Sequence, residues 1–225
     1  TSPALVSKFY DPEYEATHDN PDKDPYMAFE KDFMRFMLSD GAGAVLVQDY
    51  PEGACPLKIE WVDMTSYANE LPTCMFMASE LQEDGRLKSW KEFSPNEIKE
   101  RAVLVGKQDI RQLKKHIIKY WVDHIETILA KHHIKAEEID YIIPHVSSMF
   151  FYEKLNDEIA ARNIALTKEK WFTNLTSVGN IGSAAIYVAL EELIRTKEIK
   201  QGDKILLLVP ESGRFSYGTV LLTAD

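Results

Sequence analysis

Residues 204–210 read KILLLVP, with five apolar side chains in unbroken succession before the proline. Successive side chains of a strand point to opposite faces, so an unbroken apolar run leaves neither face for water. Such a strand needs cover on both sides, as in sheets sandwiched between helices. YIIP at 141–144 makes the same demand over a shorter run. Helical patterns lie around both. The clearest spans 107–133, where Ile110, Leu113, Ile117, Trp121, Ile125 and Ile128 recur at three- and four-residue steps. Further helices are expected over about 148–162 and 181–196, and a final strand in GRFSYGTVLLTAD. From 107 onward the order is helix, strand, helix, helix, strand, strand, which points to an α/β, layered α/β/α core.

The first hundred residues are less regular. Residues 11–27 are polar and proline-punctuated and predict a surface loop. In DGAGAVLVQDY, Asp40 and Gly41 mark a turn, Gly41 and Gly43 permit close backbone approach, and 44–48 predicts a strand. LKIEWVD at 57–63 alternates apolar and polar and predicts another. Residues 64–100 hold Met64, Cys74, Met75, Phe76, Met77 and Trp90, a mix that suits a pocket lining or, more commonly, ordinary packing. His116, His124 and His132 fall eight apart on the long helix. A metal site needs more ligands than that flank offers, so a solvated face is expected there.

A net charge of −10 disfavours nucleic acid as the main partner, because phosphate binding wants a basic surface. Cys55 and Cys74 are too few for a disulfide framework, and no Cys/His spacing predicts a metal site or a bound cofactor. No apolar run approaches the roughly 18 residues of a membrane span, and TSPALVSKFYDPEYE has no signal-peptide core, so a cytoplasmic protein without membrane partners is expected.

Three loop features stand at strand ends: Pro144-His145, Gly179-Asn180, and Gly213 within ESGRFSYG. A histidine in such a place is more often a satisfied structural group than a catalyst. Beside an asparagine it gains a second meaning, because a neutral imidazole donates one hydrogen bond and an amide two. Donors converging on one point can hold a developing oxyanion, and a glycine lets a backbone N–H come close to it.

DGAGAVLV, EEIDYIIPHVSS, VGNIGSAAIYVAL and GDKILLLVPESGRFSYGTVLL occur in the order and spacing of the β-ketoacyl-ACP synthase III family of the thiolase superfamily, which the chain resembles over about residues 34–48 and 101–225. The resemblance implies a thiolase-like layered α/β/α fold of two similar halves. It implies a 3-oxoacyl-ACP synthase III acyltransferase, which joins an acyl group on a cysteine to malonyl-ACP with loss of carbon dioxide. Carried over by motif, His145 and Asn180 match the catalytic histidine and asparagine, and Gly213 the oxyanion-hole glycine. Phe215 and Ser147 fall where substrate contacts are expected. Acyl carrier protein and acyl-CoA or acyl-ACP are the implied partners, a homodimer the implied assembly.

The match has gaps. The family's nucleophilic cysteine precedes its Gly-Ala-Gly-Ala strand, whereas Cys55 and Cys74 follow it, in GACPLK and PTCMFM, without a small-residue helix behind them. The chain is therefore expected to be incomplete. Residues 1–105 would be the remnant of an N-terminal half whose first part, with the nucleophile, is missing, and 106–225 the whole C-terminal half. The start at Thr1 favours truncation. On this view the chain alone is inactive in condensation and exposes an apolar face, the small residues Gly182, Ser183, Ala184 and Ala185 marking where the missing half would pack. PHVSSMFF carries Phe150 where the family often has an arginine that docks acidic carrier protein, and Glu211 and Ser212 replace small or apolar residues. These departures suggest another substrate, such as a polyene or alkylresorcinol precursor, and a docking patch, if any, at Arg111, Lys115 and Lys119. A non-catalytic partner subunit of the chain-length-factor type is the main alternative, and an unrelated α/β binding module a third.

Overall fold

The structure, a computed structural model, describes residues 37–225. The expected loop at 11–27 lies outside the described residues. A mixed four-stranded sheet runs in the order β1-β8-β7-β6. Its strands are β1 (Leu57–Ser66), β6 (Tyr141–Pro144), β7 (Lys204–Glu211) and β8 (Ser216–Ala224). β6 and β7 are parallel, and β8 is antiparallel to both β7 and β1. The unbroken apolar runs are covered on both faces, as their composition demands. Ile142, Leu206 and Leu208 pack to one face against α2 (Ile110–Lys131) and α3 (Met149–Ala161). Ile143, Ile205 and Leu207 pack to the other face against α5 (Ala185–Thr196). A one-turn helix, α4 (Leu175–Val178), precedes α5. Between β1 and α2 lie two small ladders, β2 (Met75–Phe76) with β5 (Lys107–Gln108) and β3 (Ser79–Leu81) with β4 (Leu87–Ser89), and the short α1 (Pro95–Glu100).

Helix α2 starts where Asp109 accepts hydrogen bonds from the Arg111 and Gln112 amides. It stops at His132, with His133 in the left-handed region at φ 53°. Its Leu113, Ile117, Trp121, Ile125 and Ile128 are buried as the spacing predicts. Arg162, just past α3, ties the two helices together through Asp123 (2.6 Å), Glu126 (2.7 Å) and Glu158 (2.9 Å).

Two expectations need correcting. The histidine flank of α2 is not solvated. It faces β1 and β8: His124 is 0% exposed, with one ring nitrogen 3.0 Å from Thr65 Oγ1 and the other 3.0 Å from Thr219 Oγ1. His132 lies flat on Trp61 at 4.0 Å and bonds Asp63 at 2.8 Å. Eight residues turn an α-helix by only about 80° beyond two full turns, so this flank stays near the apolar stripe and meets the sheet beneath it. Second, 44–48 is not a strand. No described strand offers it a ladder, and Val45, Leu46 and Val47 stand exposed. Gly41 and Gly43 do serve close approach: a Cβ would stand 2.7 Å from Ile181 Cβ and 2.5 Å from Tyr187 Cβ. β1 forms one edge of the sheet and pairs with β8 from Leu57 to Ser66. Of the apolar residues of 64–100, Cys74 is core, whereas Met64, Met77 and Trp90 are exposed.

Candidate active site

His145 is placed by the sheet. Pro144 pairs with Leu208, and the His145 amide donates to the Leu208 carbonyl at 2.8 Å, adding one rung beyond β6. Val146 then sinks into the core, and Ser148 opens α3 with its carbonyl accepting from the Phe151 and Tyr152 amides. The imidazole is half-buried, and burial pushes its pKa below the ordinary value. At neutral pH it is uncharged, with one nitrogen able to donate and the other to accept.

Asn180 arrives on the other side of β6. Trp171 makes a parallel bridge to Ile142, and the Phe172 amide donates to the Ile142 carbonyl at 2.8 Å, so this run heads for the same edge as β6. Asn174 is held there by Glu192 of α5, Nδ2 to Oε2 2.7 Å. After α4, Gly179 takes φ 83°, and a Cβ would stand 2.5 Å from Ser39 Oγ. The Asn180 carbonyl accepts from the Ser39 amide at 2.8 Å. Its side-chain Oδ1 accepts from the Gly182 amide at 3.2 Å, which fixes the amide's sense and turns its two N–H donors away from that bond.

Gly213 lies in the β7–β8 turn, at the edge where β6 also ends. Its carbonyl accepts from the amides of Cys74 (2.9 Å) and Met75 (3.5 Å). Its own N–H is engaged: it donates to Oε1 of Glu211, and the next amide, Arg214, donates to Oε2 at 3.0 Å. Ser212 Oγ accepts from Gln108 Nε2 at 3.2 Å. Phe215, expected at the substrate, lies in the core. Its left-handed φ of 52° turns the ring inward against His116, with none of it exposed. Ser147 is half-buried between His145 and α3, and Phe150 is 52% exposed on the first turn of α3. The sheet thus brings His145 and the Gly213 turn to one edge, and the strand-like run before Asn180 points the same way.

Neither cysteine sits in a setting that favours a thiolate. Cys74 is fully buried, its thiol 3.3 Å from the Asp109 carbonyl, and burial pushes its pKa up to about 12. Burial, with the charge of Asp203, also raises that of Cys55. Among the described residues no cluster of three or more His, Cys, Asp or Glu could hold a metal ion, and no helix is long and apolar enough to cross a membrane. Glu211, Gln108 and the Asn174–Glu192 pair were not legible as site neighbours. Only the departure of Glu211 and Ser212 from small residues hinted at the first.

Comparison with known proteins finds similar chains. The family described as 3-oxoacyl-acyl-carrier-protein (ACP) synthase III C terminal matches residues 129–223. A beta-ketoacyl-acyl-carrier-protein synthase III of Clostridium perfringens is 30% identical over 186 residues, 83% of this chain and 52% of that protein. One of Aquifex aeolicus is 31% identical over 112 residues, 50% of this chain and 34% of its own. The chain therefore spans about half or less of the curated relatives it matches. In structure it is similar to 3-oxoacyl-acyl-carrier-protein synthase III from Aquifex aeolicus VF5, with TM-score 0.51, 24% identity, and coverage of 74% of this chain and 44% of that one. It is also similar to the tetronic acid condensing enzyme AbyA1, with TM-score 0.56, 14% identity, and coverage of 75% and 46%. Motif order, sequence and a thiolase-like α/β architecture converge on one conclusion: this chain is similar to the β-ketoacyl-ACP synthase III family, whose C-terminal model it matches over residues 129–223.

Proposed function

We propose that the chain supplies the carbonyl-polarising donors of a 3-oxoacyl-ACP synthase III-type acyltransferase. His145 and Asn180 together hold the thioester oxygen of a malonyl group. When the bond to the carboxylate breaks, carbon dioxide leaves and the electron pair becomes an enolate, whose oxygen both side chains stabilise. The resulting carbanion attacks the carbonyl of an acyl thioester, and the tetrahedral intermediate collapses by breaking the C–S bond and expelling the thiolate, completing a decarboxylative Claisen condensation of fatty acid, polyene or resorcinol lipid assembly. The observation that carries this reading is the Gly182 amide holding Asn180 Oδ1, which commits the side chain as a donor. The neutral His145 imidazole beyond β6 supports it. Acyl carrier protein and acyl-CoA or acyl-ACP are the proposed partners, and a homodimer the proposed assembly. Exposed Arg111 and Lys115 offer a docking face, while Lys119 is engaged by Asp123 at 2.8 Å. The test is carbon dioxide release from malonyl-CoA and malonyl-ACP. His145→Ala and Asn180→Ala should each lower it on the order of 10²–10³-fold. Release at the wild-type rate in both variants refutes these roles.

A second reading, a non-catalytic partner subunit, is favoured by the occupied Gly213 amide and by two thiols whose pKa values are both raised. On that reading the wild-type chain releases no carbon dioxide and instead forms a stoichiometric complex with a cysteine-bearing synthase.

A further inference from the structure

We propose that Glu211 is a built-in competitor for the backbone donors of this site: its carboxylate occupies the Gly213 and Arg214 amides until an oxygen bearing negative charge displaces it. The inference rests on the proposed function in one respect, that the edge shared by His145 and the Gly213 turn is where the thioester reacts. Two successive amides converge on the two carboxylate oxygens of Glu211, the last residue of β7. Successive backbone N–H groups aimed at one point form an anion-binding concavity. A Cβ on Gly213 would stand 2.5 Å from the Glu211 oxygen and 3.2 Å from the Met75 carbonyl, so glycine is what lets the carboxylate in. The turn does not depend on its occupant. The Gly213 carbonyl is held by the Cys74 and Met75 amides, Ser212 by Gln108, and the Phe215 carbonyl by the Tyr67 amide at 3.1 Å. Glu211 itself is exposed and has water to swing into. The donor pair therefore stays formed when the carboxylate leaves. A neutral carbonyl accepts more weakly than a carboxylate, so the ground-state thioester loses this competition and an oxyanion or a ligand carboxylate wins it.

The experiment follows the Gly213 and Arg214 amide resonances of the full chain during titration with acetate, a simple anionic oxygen. Wild type, Glu211→Gln and Glu211→Ala are compared, with the remaining amides reporting an intact fold. Without acetate, both variants should move the two resonances. With it, Glu211→Ala should bind at an apparent Kd at least about tenfold below wild type, the strength of a charge-assisted bond, with Glu211→Gln between them. Equal acetate affinity in all three proteins, or unchanged Gly213 and Arg214 resonances in the acetate-free variants, overturns the proposal. Should Glu211→Ala not fold, Glu211→Gln against wild type decides. The readout does not involve decarboxylation, so the competition is confirmed or refuted whether or not His145 and Asn180 act as donors in that reaction.

Discussion

The buried His124 makes the stability of this chain dependent on pH in a window set by one side chain. Burial lowers its pKa from the ordinary 6.5 to about 4, against a smaller opposing effect from Asp63. The folded protein holds it neutral between the two threonine hydroxyls, and a neutral ring can donate to one and accept from the other. The sign follows from linkage. Between pH 6.5 and about 4 the unfolded chain takes a proton that the folded chain refuses, so stability falls as pH falls through that window and is unaffected by this group above it. The gap corresponds to roughly 3 kcal/mol at about 1.36 kcal/mol per pH unit, a large share of the roughly 5–15 kcal/mol typical of a whole domain. The assay is urea denaturation at several pH values for wild type and His124→Gln. Other groups that titrate, His116 and His145 among them, contribute to both proteins and cancel in the difference. Wild type should lose about 3 kcal/mol relative to its own value at about pH 7 by about pH 4, beyond any loss in the variant. Parallel curves for the two proteins across that range would refute the claim that His124 is buried neutral.

Incubation with acyl-CoA should leave both thiols unmodified by intact mass, because the Cys74 pKa of about 12 and the raised Cys55 value keep both protonated at neutral pH. A stoichiometric acyl adduct on either would refute the claim. Gly43→Ala should lower the urea midpoint by the equivalent of about 1–3 kcal/mol, because its Cβ meets Tyr187 Cβ at 2.5 Å; an unchanged midpoint would show that the 41–48 segment does not rest on α5. Val62 and Met64 leave an apolar stripe on β1, and Val45, Leu46 and Val47 are exposed as well, so sedimentation should show association at micromolar concentration that Val62→Lys with Met64→Lys reduces. A monomer in both proteins would refute the stripe as an association surface.

The parts of the fold legible in the sequence are those whose physics is local. KILLLVP and YIIP announce strands covered on both faces because their apolar runs leave no side for water, and α2 announces itself by its stripe. The 44–48 segment misled because AVLV is as apolar as a strand, but a strand also needs a neighbour's ladder, and neighbours are not written locally. His124 misled for a related reason: its spacing describes a helix flank, while its burial depends on Thr65 and Thr219, 59 and 95 residues away in sequence. At the site, His145 and Asn180 stood out through motif and strand-end position. Glu211 did not, because nothing in the string ESG tells a solvent-facing carboxylate from one folded back on its own turn.

The two proposed donors are fastened to parts of the chain that open at very different cost. The His145 amide is the last rung of the β6–β7 ladder, and moving it means breaking a strand pairing that is buried on both faces. Asn180 hangs from Ser39 and Gly182 in a connection of short turns. Regions with few buried contacts open locally at energies well below global unfolding, whereas core strands open only with the whole. The backbone at Asn180 is therefore expected to open more often than the backbone at His145. Hydrogen exchange should show the Asn180 side opening many times for each opening of the other, and a bound thioester would act mainly by quieting Asn180.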